Sequence, residues 1–120
     1  MASKILITAE RWQLVALLEK ALQRQGWETI IAKSQHEIIP LINREPIALA
    51  ILELDLLGKD YLHVLRDMRH YQRQIPVLLI SKFDELGDRA TRFMNGMAEA
   101  LPNPFKVNEL TERVNAWCGH

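Results

Sequence analysis

Apolar runs and helical stripes alternate along this chain from end to end. Lys4-Ile5-Leu6-Ile7-Thr8 is a short apolar stretch of strand length. Leu14, Leu17, Leu18, Ala21 and Leu22 then recur at helical spacing, and Gly26 ends that helix. Trp27 to Ala32 reads as a second strand. Ser34-Gln35-His36-Glu37 fits a capping box for a short helix carrying Ile38, Leu41 and Ile42. Ala48-Leu49-Ala50-Ile51-Leu52 is apolar without a break and stops at Glu53, the pattern of a strand buried on both faces. A turn at Gly58 leads into a helix that starts near Asp60 and carries Leu62, Leu65 and Met68. Pro76 opens a fourth strand, Val77 to Ile80. Asp84 caps a helix bearing Leu86, Ala90, Phe93 and Met94, which Gly96 ends. Ala98 to Leu101 is a fifth strand, followed by Pro102-Asn103-Pro104-Phe105. Val107, Leu110, Val114 and Trp117 stripe the last helix.

Five strand–helix units in succession predict an α/β fold. Right-handed crossovers between parallel strands make it a three-layer αβα sandwich around a five-stranded parallel sheet. The expected strand order is 2-1-3-4-5, the flavodoxin-like arrangement, with its crevice at the C-terminal ends of the first and third strands. Those ends carry Glu10 and Glu53, and Asp55 follows two residues later, so the crevice is acidic. Residues 1–120 read as one domain, with no linker, repeat or low-complexity stretch.

Composition narrows the function classes. Lysine plus arginine and aspartate plus glutamate number 15 each, so the formal net charge is zero. No basic run with interleaved aromatics is present, which argues against direct nucleic-acid binding. No apolar run is long enough to span a bilayer, and the N-terminus lacks the apolar core of a signal peptide, so no membrane role is expected. The single cysteine, Cys118, cannot pair internally; it reads as a packed thiol in a reducing, cytoplasmic setting. His36, His63, His70 and His120 share no metal-ligand spacing, and His63 and His70 read as surface residues on one helix face. Trp12, Trp27 and Trp117 read as core or subunit-packing residues. Thr8-Ala9-Glu10-Arg11 lacks the Gly- or Ser/Thr-rich loop that a flavodoxin-like ligand-binding protein would use for phosphate.

With these elements placed, the chain resembles the receiver domain of bacterial two-component response regulators over almost its whole length. Lys4-Ile5-Leu6-Ile7 is similar to that family's opening strand. Glu53, after Ile51-Leu52, falls at the phosphoacceptor aspartate. Gly58 and Asp60 follow at the offsets of the family's Pro-Gly-x-Asp turn. Pro76 to Ser81 resembles the strand ending in the phosphate-sensing Ser/Thr, and Gly96 to Phe105 the stretch ending in Lys-Pro-Phe. The resemblance implies a cis peptide bond at Asn103-Pro104.

The departures from that pattern point to a pseudo-receiver. The paired acids that hold Mg²⁺ in the family are Ala9 and Glu10 here, the phosphoacceptor is Glu53, the lysine is Asn103 and the aromatic switch is Ala100. Only Ser81 keeps the expected chemistry. Mg²⁺ requires near-octahedral oxygen geometry. Glu53 adds a methylene, Ala9 deletes a ligand, and Asn103 deletes the cation that would meet a phosphoryl oxygen. No catalytic residue, no resident cofactor and no enzymatic activity are therefore expected; Glu10 and Glu53 are weak candidates for Mg²⁺ in the alternative, in which Glu53 or Asp55 still accepts a phosphoryl group. Glu53 reads as a strand-end carboxylate or as a partial mimic of a phosphorylated aspartate, with less charge and fewer acceptor oxygens. Asp55 reads as a solvated loop aspartate or a supporting group.

Lys82 follows Ser81 where the family has a small residue. Charged Glu10 and Glu53 about 5 Å apart would repel by roughly 3 kcal/mol at an effective dielectric near 20. The Lys82 ammonium either enters the crevice to offset that repulsion or points outward. The resemblance also implies protein partners, a histidine kinase or an output domain. It offers a homodimer face on the helix after the fourth strand, the fifth strand and the last helix, from Glu85 to Trp117. Arg89, Arg92, Glu109, Glu112 and Arg113 are its candidate surface residues, with mixed signs that suit a symmetric pair.

Overall fold

A computed structural model describes residues 3–70 and 75–119. Five strands form one parallel sheet: β1 (Lys4–Thr8), β2 (Glu28–Ile31), β3 (Ile47–Glu53), β4 (Val77–Ser81) and β5 (Ala98–Pro102). Their order across the sheet is β2-β1-β3-β4-β5, as the alternating pattern implied. The helices are α1 (Trp12–Arg24), α2 (Ile38–Arg44), the single turn α3 (Leu54–Leu57), α4 (Tyr61–His70), α5 (Asp84–Phe93) and α6 (Val107–Cys118).

Period-2 alternation sorts the core into two layers. Ile5, Ile7, Leu49, Ile51, Leu78 and Ile80 pack on one face, against Leu14, Leu18 and Leu22 of α1 and Leu110 and Val114 of α6. Leu6, Ala50, Leu52, Val77 and Leu79 pack on the other, against α2, α3, α4 and α5 through residues such as Ile42, Leu54, Leu65 and Ala90. Both faces of β3 are covered, which is why its sequence shows no polar alternation.

The helix ends depart from expectation in detail. Phe83, not Asp84, occupies the N-cap of α5 and caps no backbone group through its side chain. Asp84 is the first helical residue, where a carboxylate still complements the N-terminal end of the helix dipole. Ser34 sits at the predicted N-cap without a side-chain cap bond. Glu37 instead accepts the Lys33 backbone N–H at 3.2 Å, half of a capping box shifted by one residue. At α6, Glu109 reaches back to accept the Lys106 N–H at 3.1 Å. Gly58 joins α3 to α4 at φ +59° and ψ −140°, a conformation that only glycine adopts without strain. The Asn103–Pro104 bond is cis, as expected.

Of the tryptophans, Trp27 and Trp117 are half-buried against the α1/α6 layer, and their indole N–H groups donate to Asn115 Oδ1 at 3.5 Å and Glu99 Oε1 at 2.9 Å. Trp12 is 74 % exposed, so of the two readings, core or subunit packing, the core one does not hold for it. Cys118 is half-buried, and burial pushes its thiol pKa up, which favours the protonated form. His36, His63 and His70 are exposed, and His63 Nδ1 lies 2.8 Å from Arg66; His120 falls outside the described residues. No helix is long and apolar enough to cross a membrane among the described residues.

Candidate functional site

The crevice lies where β1, β3 and β4 end. In register, Thr8 stands opposite Leu52, and Glu53 opposite Ile80. Alternation along β3 places Glu53 with Ile51 on the α1 side, while alternation along β4 places Ser81 with Leu79 on the opposite side. The phosphoacceptor position and the hydroxyl position are thereby served by different carboxylates.

Glu53 is only 4 % exposed. Its extra methylene carries the carboxylate across to the start of the α1 loop, where Oε1 accepts the Glu10 backbone N–H at 3.0 Å. The Glu10 side chain itself is exposed, and Ala9 contributes no polar atom. The buried Glu53 carboxylate thus meets a backbone donor of Glu10. Thr8, one residue before Ala9, is fully buried, and its hydroxyl has no hydrogen-bond partner among the described residues.

Asp55, half-buried in α3, takes up the other side of the crevice. Its Oδ1 lies 3.4 Å from Ser81 Oγ, and its Oδ2 accepts the Lys82 N–H at 3.3 Å. Ser81 is buried and also accepts the Phe83 N–H at 3.0 Å. Its one hydroxyl proton serves either Asp55 or the Phe83 carbonyl, 3.3 Å away. These are long bonds, individually weak, but together they tie the loop from β4 into α5 to the turn after β3. The Lys82 side chain is exposed and makes no ion pair within 4.0 Å among the described residues. The outward reading of Lys82 is the one this geometry takes; only its backbone reaches the crevice.

Among the described residues no group of three or more His, Cys, Asp or Glu side chains is placed to hold a metal ion. Ala100 and Asn103 are half-buried, Ala100 within β5 and Asn103 with Pro104 in the loop that follows. The Asn103 N–H donates to the Ser81 carbonyl at 2.9 Å. Ala100 lines a cavity of about 360 Å³ with Ser81, Phe83, Asp84, Gly87 and Asp88 among its neighbours. Phe83 is the residue sequence reasoning passed over. It belongs to no stripe, and its position in the β4–α5 loop next to Ser81 was the only available signal.

On the face from Glu85 to Trp117, Arg89, Arg92, Glu109, Glu112 and Arg113 are all exposed. Arg113 is already paired within the chain, to Glu99 at 3.1 Å.

Sheet order, helix placement and the cluster of crevice residues define a class. The family described as the response regulator receiver domain matches residues 5–115, and the chain belongs to it. It is 30% identical over 113 residues to the transcriptional regulatory protein TctD of Salmonella typhimurium, covering 94% of this chain and 50% of TctD. It is 28% identical over 116 residues to the alkaline phosphatase synthesis transcriptional regulatory protein PhoP of Bacillus subtilis, covering 97% of this chain and 48% of PhoP. The chain spans about half the length of these curated relatives. A solved response regulator from Thermotoga maritima superposes with a TM-score of 0.85 at 21% identity, covering 100% of both chains, a likeness of fold.

Proposed function

We propose that this chain is a receiver-type interaction module of two-component signalling whose phosphorylation centre is degenerate. Response regulators interact with histidine kinases and output domains. This module engages such a partner without taking up a phosphoryl group itself, and in this reading it is not an enzyme.

One observation carries the proposal: the two carboxylates of the crevice are already engaged within the chain. Glu53 accepts the Glu10 N–H, and Asp55 faces the Ser81 hydroxyl and the Lys82 N–H. These bonds orient each carboxylate toward a group of the chain itself, Glu53 through one oxygen and Asp55 through both, and group transfer is sensitive to such positioning. The residues present do not fit Mg²⁺ either. Ala9 offers no oxygen, Glu10 is exposed, and Glu53 faces a backbone donor. Asp55 holds the hydroxyl and the backbone N–H of the β4–α5 loop, so in this reading the chain's own carboxylate sets the loop that a phosphoryl group would otherwise engage. The face from Glu85 to Trp117 is the surface we assign to a protein partner or a second copy. The zero net charge supports a protein rather than a nucleic-acid partner.

Incubating the protein with acetyl phosphate and Mg²⁺ and weighing it intact tests this reading. An unchanged mass is expected. A stable phosphoryl adduct on Glu53 or Asp55 would replace the proposal with a working phosphoacceptor.

A further inference from the structure

The cavity beside Ala100 combines three features that no crevice chemistry uses. It is open and about 360 Å³ in volume. Gly87 and Ala100 line it where α5 packs closely on β5, so closely that a Cβ on Gly87 would meet the Ala100 Cβ at 3.1 Å. Phe83 stands on its rim with 62 % of its surface exposed. The backbone that carries the ring is tied to Ser81: the Phe83 N–H donates to Ser81 Oγ, and the Phe83 carbonyl lies within reach of the same hydroxyl.

The third feature is charge. Asp84 and Asp88 both line the cavity, and at i and i+4 they share one face of α5. Both are exposed, and neither has an ion-pair partner within 4.0 Å among the described residues. Two carboxylates beside an exposed aromatic ring suit a planar cation. A guanidinium stacks on an aromatic face and offers a rigid fork of donors to carboxylates. An ammonium is a more strongly hydrated point charge and matches this pair of features less well.

We infer that the Gly87–Ala100 cavity receives an arginine side chain of the partner protein, stacked on Phe83 and paired to Asp84 and Asp88. This rests on the interaction-module reading and names the chemistry its partner presents. Phe83 sits on the loop that Asp55 and Ser81 hold, so the same contacts that tie the crevice set the backbone from which the ring projects.

Titrating the full chain with N-acetyl-arginine methylamide, followed by ¹H–¹⁵N spectra, tests the inference. Saturable shifts are expected at Phe83, Gly87 and Ala100, with a dissociation constant in the low millimolar range that suits so small a probe. The citrulline analogue, which is uncharged but similar in shape, should bind at least about tenfold more weakly. Asp84→Asn with Asp88→Asn should weaken the arginine probe by a similar factor without altering the fold, because both side chains are exposed. Ala100→Phe should abolish binding by filling the cavity. No saturable shift in the natural protein, or equal shifts from citrulline, would overturn the inference. The titration reads the cavity alone, so a phosphoryl adduct in the mass experiment would remove the degenerate-centre reading and leave this result standing.

Discussion

Ser81 Oγ lies 3.4 Å from the Asp55 carboxylate, not against Glu53, the residue at the phosphoacceptor position. The hydroxyl and the acceptor position belong to opposite faces of the sheet's upper edge, and Asp55 rather than Glu53 bridges toward β4. The loop into α5 is therefore held by a permanent side chain two residues beyond the end of β3.

Removing that side chain should loosen the loop. Asp55→Ala is expected to cost about 0.5–1.5 kcal/mol, the range for one or two modest hydrogen bonds. Amide exchange at Lys82 and Phe83 should accelerate while exchange in β3 stays unchanged. Hydrogen-exchange NMR checks this. Equal protection in both proteins would mean that Asp55 does not hold the loop.

Lys82 gives a sharper test of the crevice. Its side chain is exposed and unpaired among the described residues. Lys82→Ala should therefore leave the protein's response to Mg²⁺ unchanged in isothermal calorimetry. A new binding heat in the variant would show that the ammonium occupies the place of a cation after all.

The Lys4–Glu45 ion pair ties the start of β1 to the residue after α2, with Nζ and Oε1 2.7 Å apart. The Lys4 hydrogen bond lowers the Glu45 pKa from its ordinary 4.5, and the same bond raises the Lys4 pKa from 10.5. A lowered carboxyl pKa contributes stability that is present above 4.5 and lost as pH falls through the folded value. A raised lysine pKa contributes stability present below 10.5 and lost as pH rises through its folded value. The deficit of Glu45→Gln relative to the natural protein should thus be level between these limits and shrink outside both. It should also be small and sensitive to salt, because the pair is partly exposed. Denaturant titrations across pH measure it, and a deficit that grows in acid would contradict the assignment.

Core position decides the cost of truncation. Leu52 is fully buried in the sheet, whereas Leu17 on α1 is 45 % exposed. Leu52→Ala should cost about 2–5 kcal/mol. Leu17→Ala should fall near the surface range of about 0.5 kcal/mol. Urea unfolding distinguishes them, and similar losses at both sites would mean that the exposed side of α1 is covered.

The architecture was legible because burial writes itself into the sequence. The unbroken run from Ala48 to Leu52 marked a strand covered on both faces, and the stripe Leu110, Val114 marked the helix that covers one of them. Spacing against the family pattern put Glu53, Ser81 and Asn103 at one end of the sheet, and the structure places them at or just past the ends of β3, β4 and β5. Side-chain pairing was not. Whether Asp55 or Glu53 meets Ser81 depends on strand parity and on one methylene of reach, which no periodicity records. Residue-type preference was also a weak guide at helix starts: Trp12, the first residue of α1, is exposed, and Asp84 is the first helical residue of α5 with Phe83 at the N-cap. Phe83 lay outside every pattern because a loop residue has none.

The most direct test of a degenerate centre is a ¹H–¹⁵N titration of the natural protein with Mg²⁺ and beryllofluoride, which stands in for a phosphoryl group. The resonances of Glu10, Glu53, Asp55 and Ser81 should stay where they are at every concentration. Saturable movement of Glu53 and Ser81 together, dependent on Mg²⁺, would show that the crevice still assembles a phosphoryl site and would contradict the proposed function.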